Sequence, residues 1–313
     1  MSNDSDIPVI CLMGPTASGK TDLAIELCGE LNGQIISVDS ALVYRQMDIG
    51  TAKPTAEELA RAPHHLIDIC DPTETYSAAQ FASDAKAIIE RLLRQGKTPI
   101  LAGGTMLYFK ALLEGLAQLP ATDKAIRQKV AEVLDQRGSE ALHRWLAEFD
   151  EESAERLHPN DPQRLSRAIE VYLMSGKTLS QFHREQRLQP LQYANHCFAI
   201  APAQRSDLHQ RIEQRFDKML ADGFVEEVRA LYQRGDLSVD MPSIRCVGYR
   251  QIWSYLSGES TLEEARYRGI VATRQLAKRQ FTWLRSWPNL TWLRSGDKNN
   301  LANVLKIIGA TSI

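Results

Sequence analysis

Short apolar segments alternate with amphipathic ones along the first third of the chain. Four apolar segments are rich in β-branched residues and are predicted to be buried strands, at 7–13, 34–40, 64–70 and 98–105. Apolar side chains repeat at helical spacing over 20–31 and 78–95, and a further helix is expected to end near residue 114. Strands that alternate with helices favour a parallel sheet with helices on both faces.

The pattern changes after residue 120. Residues 121–186 keep a helical periodicity and have almost no strand signal. Strand signals return at 196–205 and 289–295, and amphipathic helices are predicted over 207–233 and 259–285.

These elements together predict an α/β protein with a parallel sheet flanked by helices, similar to phosphate-loop (P-loop) NTPases, and an inserted all-helical domain. The predicted domains are the first part of the core at 1–120, the helical insertion at 121–190 and the completion of the core at 191–313.

The segment "GPTASGKT" at 14–21 lies between the first predicted strand and the first predicted helix. Gly14 and Gly19 allow the loop to curl so that backbone N–H groups and the helix N-terminus face phosphate oxygens. Lys20 is expected to bridge two phosphates, and the Thr21 hydroxyl to bind a Mg²⁺ ion. The signal is strong because motif and context agree, but the loop does not identify the molecule that carries the phosphates.

Two other predicted strands end in residues that are candidates for catalysis or ligand binding. Asp39 follows the second strand, where it is a metal ligand, a general base or a carboxylate that caps the next helix. The segment Gly103–Gly104–Thr105 ends the fourth strand and faces the same crevice, unless it is a plain turn with a capping threonine. Asp68 is a weaker metal candidate.

The last third of the chain has a basic and aromatic segment. Residues 265–285 contain six Lys or Arg and no acidic residue, and Tyr249 lies between Arg245 and Arg250 in a second basic segment. Basic groups bind phosphates, and aromatic rings stack on unpaired bases. A solvated helix face is the usual alternative for one such run, and two runs in one chain weaken it.

Composition adds few constraints. The chain has 313 residues, 43% hydrophobic and 24% charged, with a net charge of −2, which is ordinary for a globular protein. Five scattered cysteines favour neither a disulfide framework nor a zinc site. The first residues lack the features of a secretion signal and no apolar run approaches the length of a membrane span, so a cytoplasmic protein is expected.

The motifs together resemble the tRNA dimethylallyltransferases, also called tRNA isopentenyltransferases, of the bacterial type. The resemblance covers nearly the whole chain and is carried by "GPTASGKT" (14–21), "VDSALVYR" (38–45), "AGGTMLY" (102–108), "PQRLSRAIEVY" (162–172), "HQRIEQRF" (209–216), "IRCVGYRQ" (244–251) and "AKRQFTWLR" (277–285).

This resemblance implies that a dimethylallyl group passes from its diphosphate to the exocyclic amine of an adenine. The adenine adjoins the 3′ side of the anticodon in tRNAs that read codons beginning with U. The phosphates at the loop then belong to dimethylallyl diphosphate, although the loop looks like one for ATP, and Mg²⁺ is the expected cofactor. A monomer is expected, since the RNA-binding surface is extended.

The resemblance also implies roles for individual residues. Asp39 and Thr105 are the catalytic candidates. The diphosphate is expected to contact Gly14, Pro15, Thr16, Ala17, Ser18, Gly19, Lys20, Thr21 and Arg215. Arg211 and Arg215 lie at i, i+4 on one helix face; one or both reach the diphosphate, or both form surface ion pairs.

The implied tRNA contacts come from both the core and the insertion. They are Asp39, Ser40, Ala41, Leu42, Thr105, Arg127, Gln163, Arg164, Leu165, Ser166, Arg167, Arg245, Cys246, Val247, Gly248, Tyr249, Arg250, Lys278, Arg279, Gln280, Phe281, Thr282, Trp283, Leu284 and Arg285. The insertion is expected to pack on the anticodon stem-loop.

Two other functions compete with this interpretation. A small-molecule or nucleotide kinase explains the loop and the sheet but not the basic C-terminal segments. An RNA-binding protein with a nucleotide switch explains both, but predicts ATP consumption without group transfer.

Overall fold

A computed structural model of the protein describes residues 7–117, 119–121, 123–185 and 190–309. The chain folds into two compact units. One is formed by Met1–Leu113 together with Leu191–Ile313, and the other by Glu114–Pro190. The sequence places the beginning of the inserted segment at residue 121, and the second unit begins at Glu114.

The first unit is built on a six-stranded sheet. Its strands, numbered along the chain, are β1 (Val9–Met13), β2 (Gly33–Val38), β3 (His64–His65), β4 (Thr98–Gly103), β5 (Asn195–Ala201) and β6 (Leu290–Arg294). All neighbouring strands are parallel, in the order β3-β2-β4-β1-β5-β6. The predicted α/β class with a parallel sheet is confirmed.

Fourteen helices occupy the described part of the chain. Before the second unit they are α1 (Lys20–Glu30), α2 (Ala56–Arg61), α3 (Ala78–Arg94) and α4 (Met106–Leu113). Within it they are α5 (Lys124–Arg137), α6 (Ser139–Ala147), α7 (Glu151–Arg156), α8 (Pro162–Ser175) and α9 (Leu179–Glu185). After it they are α10 (Arg205–Ala221), α11 (Phe224–Gln233), α12 (Tyr249–Leu256), α13 (Leu262–Arg285) and α14 (Asn300–Gly309).

The sheet is buried on both faces. Val9, Cys11 and Met13 of β1 pack in one apolar cluster with side chains of α3 and α4, whereas Ile10 and Leu12 pack in another with α1 and α14. Alternate residues of one strand therefore serve two cores, which explains why the strands have continuous apolar sequences.

The helical second unit has its own core. Buried apolar side chains from α5, α6, α7, α8 and α9 form one cluster, with Leu142, Leu146, Leu165 and Ile169 fully buried. Asp123, Asp150 and Asp161 accept hydrogen bonds from backbone N–H groups at the beginnings of α5, α7 and α8. These caps satisfy helix ends and fix where each helix begins.

Two predicted elements differ from the structure. The predicted helix over 207–233 is two helices, since Gly223 adopts φ = 100° between α10 and α11 and interrupts the hydrogen-bond ladder. The predicted strand at 64–70 is a strand only at His64–His65, because Leu66 and Asp68 adopt positive φ. The segment after β3 pairs once more with the segment after β2, at an isolated parallel bridge between Cys70 and Tyr44.

No helix in the described part of the chain combines the length and the apolar character needed to cross a membrane.

Candidate active site

A cavity of about 870 Å³ lies in the first unit, at the edge where the parallel strands end. Its wall includes the phosphate loop from Thr16 to Thr21, the segment Asp39–Leu42 after β2 and the segment Gly103–Thr105 after β4. Parallel strands bring their carboxyl ends to one edge, so these three separate segments converge there.

The phosphate loop is tightly curled between β1 and α1. Ala17 and Gly19 adopt left-handed conformations, with φ of 62° and 84°. A Cβ atom on Gly14 would lie 2.5 Å from the Ile200 carbonyl oxygen of β5, so only glycine fits where the loop leaves the sheet. Ser295, which follows β6, donates its hydroxyl hydrogen to the Ser18 carbonyl (2.7 Å) and fixes the loop from outside.

Lys20 is folded back onto this loop. Its ammonium group donates to the carbonyl oxygens of Gly14 (3.0 Å) and Pro15 (2.7 Å) and lies 3.4 Å from the Ser18 hydroxyl. The pKa of Lys20 is lowered to about 7, chiefly by burial; the nearby Asp39 carboxylate opposes this shift, and the Arg215 guanidinium adds to it. A bound anion would favour the charged form of this lysine.

Binding of inorganic diphosphate is therefore expected to depend on pH. Lys20 is protonated below pH 7 and loses its charge as the pH rises through 7, so the affinity should fall, by at most about tenfold per pH unit. In Lys20→Arg the guanidinium stays charged, so only the ionisation of the ligand remains. Titration calorimetry on both proteins between pH 6 and 9 measures the difference, and identical pH profiles would contradict the role of Lys20.

Asp39 and Thr105 follow β2 and β4, and both line the cavity. The Thr105 hydroxyl accepts a hydrogen bond from the Ser40 backbone N–H (3.0 Å), and its own N–H donates to the Val38 carbonyl (3.1 Å). Asp39 Oδ1 accepts from the Ala41 N–H (2.8 Å). The Asp39 carboxylate is thus held at the cavity wall by one oxygen, and Oδ2 has no such backbone partner among the described residues.

Gln280 joins three elements of the site. Its Oε1 accepts the Thr16 N–H of the phosphate loop (3.0 Å), and its Nε2 donates to the Gly104 carbonyl (2.9 Å). A Cβ atom on Gly104 would lie 2.3 Å from Gln280 Nε2, so the glycine is what allows the amide to insert. Helix α13 is therefore fastened directly to the phosphate loop and to the turn after β4.

Arg215 of α10 supplies a second cation to the cavity. Burial lowers the pKa of its guanidinium, while Asp39 raises it. Its Nη2 donates to the Thr51 carbonyl (3.3 Å), and no carboxylate pairs with it among the described residues. A largely enclosed cation without an ion pair, next to Lys20, favours an anionic ligand.

Known proteins resemble this chain over nearly all of its length. The model of the family described as IPP transferase matches residues 42–287. The chain belongs to the IPP transferase family. The match begins after the phosphate loop and Asp39, so the roles expected of these residues are supported by their own sequence motif and geometry and not by the family model.

Solved structures extend the similarity of this IPP transferase family member to nearly the whole chain. The full-length tRNA isopentenylpyrophosphate transferase of Bacillus halodurans is 35% identical, with 98% of this chain and 97% of that chain covered and a TM-score of 0.72. The tRNA Δ(2)-isopentenylpyrophosphate transferase of Staphylococcus epidermidis is 38% identical, with 97% and 98% covered and a TM-score of 0.68. A eukaryotic dimethylallyltransferase acting on tRNA is 27% identical, with 97% and 79% covered and a TM-score of 0.82.

In this family member, most predicted diphosphate contacts meet at the cavity. Residues 16–21 and Arg215 line it, whereas Gly14 and Pro15 lie behind the loop and present their carbonyls to Lys20. Of the two arginines between which the sequence left the choice open, Arg215 lines the cavity and Arg211 does not. Asp68 is also absent from the wall and pairs with Lys53.

Most of the predicted tRNA contacts of the core either line the cavity or are exposed on the surface. Ser40, Ala41, Leu42, Arg245, Cys246, Val247, Gly248, Arg279 and Trp283 line the cavity. Arg250, Lys278, Thr282 and Arg285 are exposed, and Phe281 lies beneath the Arg285 guanidinium with 5.8 Å from ring centroid to Cζ. Burial and the nearby Asp39 raise the pKa of Cys246 to about 12, so its thiol is not a nucleophile at neutral pH.

Four residues that the sequence predicts to contact the tRNA have buried side chains. Leu284 is 1% exposed and packs in the core, Tyr249 is fully buried and donates its hydroxyl hydrogen to Glu227, and Gln280 uses its amide inside the protein. Leu165 is fully buried in the core of the helical unit. Each lies within a motif whose other side chains face outward, because one helix turn presents several faces.

Two predicted tRNA contacts of the helical unit lie near one buried carboxylate, that of Glu170. Arg167 lies 3.6 Å from Glu170 and donates to the Pro120 carbonyl, while Arg127 lies 3.9 Å from Glu170. Gln163 and Arg164 are exposed and Ser166 is half-buried. Glu170 therefore pairs with two of the predicted arginines, whereas the third, Arg164, pairs with Asp161 (3.3 Å).

The basic segment over 265–285 is partly neutralised inside the protein. Arg266 pairs with Asp217 and Glu213, Arg274 with Glu213, and Arg268 with Glu264. Lys278, Arg279 and Arg285 form no ion pair among the described residues. The C-terminal half of α13 is thus its free cationic part.

Proposed function

We propose that the protein transfers a dimethylallyl group from dimethylallyl diphosphate to the exocyclic N6 amine of the adenine that adjoins the 3′ side of the anticodon, in tRNAs that read codons beginning with U. The observation that carries the proposal is one cavity of an IPP transferase family member. In it, a phosphate loop and Arg215 lie beside a carboxylate, and the free cations of α13 begin at the same wall.

The donor is proposed to bind with its diphosphate on the phosphate loop. The N–H groups at the beginning of α1, the Lys20 ammonium and the Arg215 guanidinium would surround its oxygens. As the allylic C–O bond breaks, its electron pair moves onto the diphosphate, and these groups stabilise the growing negative charge.

The acceptor amine is proposed to attack from the side of Asp39. The lone pair of adenine N6 forms the new C–N bond, and N6 becomes positively charged until it loses a proton. Asp39 is a carboxylate in the wall of the same cavity, and it accepts that proton as general base. Thr105 accepts a hydrogen bond from the Ser40 N–H and so holds the segment after Asp39 in place. Its hydroxyl is also proposed to contact the adenine.

The target base must leave the anticodon loop to reach this carboxylate. The planar ring of Trp283 lines the cavity. The ammonium group of Lys110, on α4, lies 6.0 Å from the centroid of this ring. Apolar cavity residues such as Leu107 and Leu276 exclude water from the allyl group, whose cationic character would otherwise lead to hydrolysis.

Mg²⁺ fits this cavity as a partner of the diphosphate. The described residues contain no cluster of three or more His, Cys, Asp or Glu side chains suited to a metal, so a dedicated protein cage is not what the site offers. The Thr21 hydroxyl at the beginning of α1 and the Asp39 carboxylate line the cavity, and Mg²⁺ commonly combines one or two such ligands with phosphate oxygens and water. When bound, Mg²⁺ would neutralise part of the diphosphate charge.

The tRNA is proposed to lie against two basic surfaces. One is the C-terminal half of α13 with Arg245 and Arg250. The other is formed by arginines of the helical unit, namely Arg127 and Arg167, which share Glu170, and Arg164, which pairs with Asp161. These cations attract the phosphates of the anticodon arm without reading its sequence.

Lys278→Ala is expected to reduce the slope of log K against log salt for tRNA binding by about one unit, because one phosphate contact is lost. Lys278 is exposed on α13 and forms no ion pair among the described residues, so the fold should be unaffected. Lys306→Ala, an equally exposed lysine on α14, is the control. Equal slopes for the wild type and Lys278→Ala would remove this residue from the RNA surface.

Radiolabelled dimethylallyl diphosphate incubated with unmodified tRNA and Mg²⁺ tests the proposed reaction. Label should enter the tRNA, and nuclease digestion should recover it on the adenosine next to the anticodon. ATP consumption without label in RNA would favour a kinase or a nucleotide switch and would refute the proposal.

A further inference from the structure

The carboxylate of Glu227, outside the proposed reaction path, receives an unusual set of hydrogen bonds. Its Oε2 accepts the backbone N–H groups of Asp48 (2.8 Å) and Ile49 (2.7 Å), and its Oε1 accepts that of Gly50 (3.0 Å). Three consecutive N–H groups that converge on one anion form a nest, which in many proteins binds a phosphate. Here the anion is a side chain from α11.

A fourth donor reaches the same carboxylate from another wall of the cavity. The Tyr249 hydroxyl at the beginning of α12 donates to Glu227 Oε1 (2.6 Å). Burial and the nearby Glu227 raise the pKa of Tyr249, so the hydroxyl keeps its proton and remains a donor. Residues 245–248, which line the cavity, come immediately before this anchored tyrosine.

The loop that Glu227 holds is seated closely on α11. A Cβ atom on Gly50 would lie 2.0 Å from the Phe224 ring, so the backbone of the loop touches the aromatic side chain directly. The Thr51 hydroxyl donates to the Met47 carbonyl (2.6 Å), and Lys53 donates to the Tyr44 carbonyl (3.0 Å). The loop is therefore fixed at both ends, and Glu227 fixes its middle.

The same loop ends at the guanidinium of Arg215. Residues 50–53 line the cavity, and the Thr51 carbonyl accepts the hydrogen bond from Arg215 Nη2. Because no carboxylate pairs with Arg215 among the described residues, this carbonyl is what orients it toward the phosphate loop. A chain of contacts thus runs from Glu227 through the loop to the second cation of the site.

From these contacts we propose that Glu227, held in turn by the Tyr249 hydroxyl, is a positioning residue for the diphosphate, which acts through the Thr51 carbonyl on Arg215. The proposal rests on the proposed function only for the identity of the natural ligand. Glu227 touches neither substrate, so its loss should weaken capture of the diphosphate more than it slows the chemical step.

Glu227→Gln is the direct test, since it keeps the size of the side chain and places an NH₂ group against N–H donors. The Kd for inorganic diphosphate with Mg²⁺ should rise about tenfold, and the KM for dimethylallyl diphosphate should rise alongside it. The kcat and the KM for tRNA should change by less than about threefold. Glu226→Gln is the matched control, because the exposed Glu226 pairs with Arg229 (3.1 Å), has no other ion pair within the described ranges and is not part of the nest.

A double-mutant cycle separates positioning from general stability. In an Arg215→Met background, Glu227→Gln should leave the Kd for inorganic diphosphate unchanged, because the group through which it acts is gone. An equal loss of affinity in both backgrounds would overturn the proposal, as would an unchanged Kd in the single variant. Thermal unfolding of every variant shows which proteins are folded at the assay temperature.

Tyr249→Phe tests the same role of Glu227 with a smaller change, because it removes one hydrogen-bond donor to the carboxylate and leaves the three backbone N–H bonds. It should raise the Kd about threefold in the wild-type background and not at all with Arg215→Met. These binding measurements need no turnover. If the protein labels no tRNA, the proposed function fails while the cycle still reports on Glu227; if it labels tRNA but the cycle is additive, only the role of Glu227 fails.

Discussion

Asp39→Asn is expected to slow single-turnover alkylation of tRNA by roughly 10²–10⁴-fold. The amine of adenine is a weak nucleophile because its lone pair is delocalised, and it must lose a proton as the C–N bond forms. Asparagine keeps the shape and, through its oxygen, the bond from the Ala41 N–H, but it cannot accept a proton. Rapid-quench measurement with enzyme in excess isolates this step from binding and product release.

The same variant distinguishes the general base from a metal ligand. As a base, Asp39 can be lost with the affinities for tRNA and diphosphate nearly intact. As a metal ligand, its loss weakens Mg²⁺-dependent diphosphate binding, and excess Mg²⁺ partly restores the rate. A near-normal single-turnover rate in Asp39→Asn would refute both roles.

Arg215→Met is expected to weaken diphosphate binding by about 2–5 kcal/mol, or roughly 30–4,000-fold in Kd. The reason is that this half-buried guanidinium is one of two cations that line the cavity beside the phosphate loop. Titration with inorganic diphosphate measures the loss, and Arg211→Met is the matched control one turn earlier on α10, outside the cavity wall. A Kd within twofold of the wild type would contradict the role of Arg215.

The same substitution should stabilise the folded protein. An enclosed cation with no ion pair costs free energy, and methionine fills similar space without that cost. The free energy of unfolding without ligand should rise by roughly 0.5–2 kcal/mol. A variant that is both more stable and unable to bind diphosphate would show that Arg215 is kept for its ligand.

Features encoded within a short segment are those that the sequence predicts well. The phosphate loop needs only a strand, two glycines and a helix in order, and all three are adjacent in the chain. The parallel sheet follows from alternating apolar segments. Gly223 shows the limit of this approach, because the periodicity continues through it and only its positive φ ends α10.

Features that depend on distant partners are not visible in the pattern. Arg211 and Arg215 lie on one helix face, and only the packing of α10 decides which reaches the cavity. Gln280 lies in a basic segment that looks solvated from the sequence. Its amide nevertheless bonds to Thr16 and Gly104, which are 264 and 176 positions earlier in the chain. Glu227 could not be identified, since its partners are mainly backbone N–H groups, which leave no residue signature.

The order of strands in the sheet has a consequence during synthesis. β1 lies between β4 and β5, yet about 180 residues separate the end of β1 from the start of β5 along the chain. At about 5–20 residues per second, a ribosome needs roughly 10–40 s to make that stretch. For that time β1 presents an unpaired apolar edge, which is a template for aggregation. The nascent chain should therefore bind a chaperone until β5 emerges and pairs with β1.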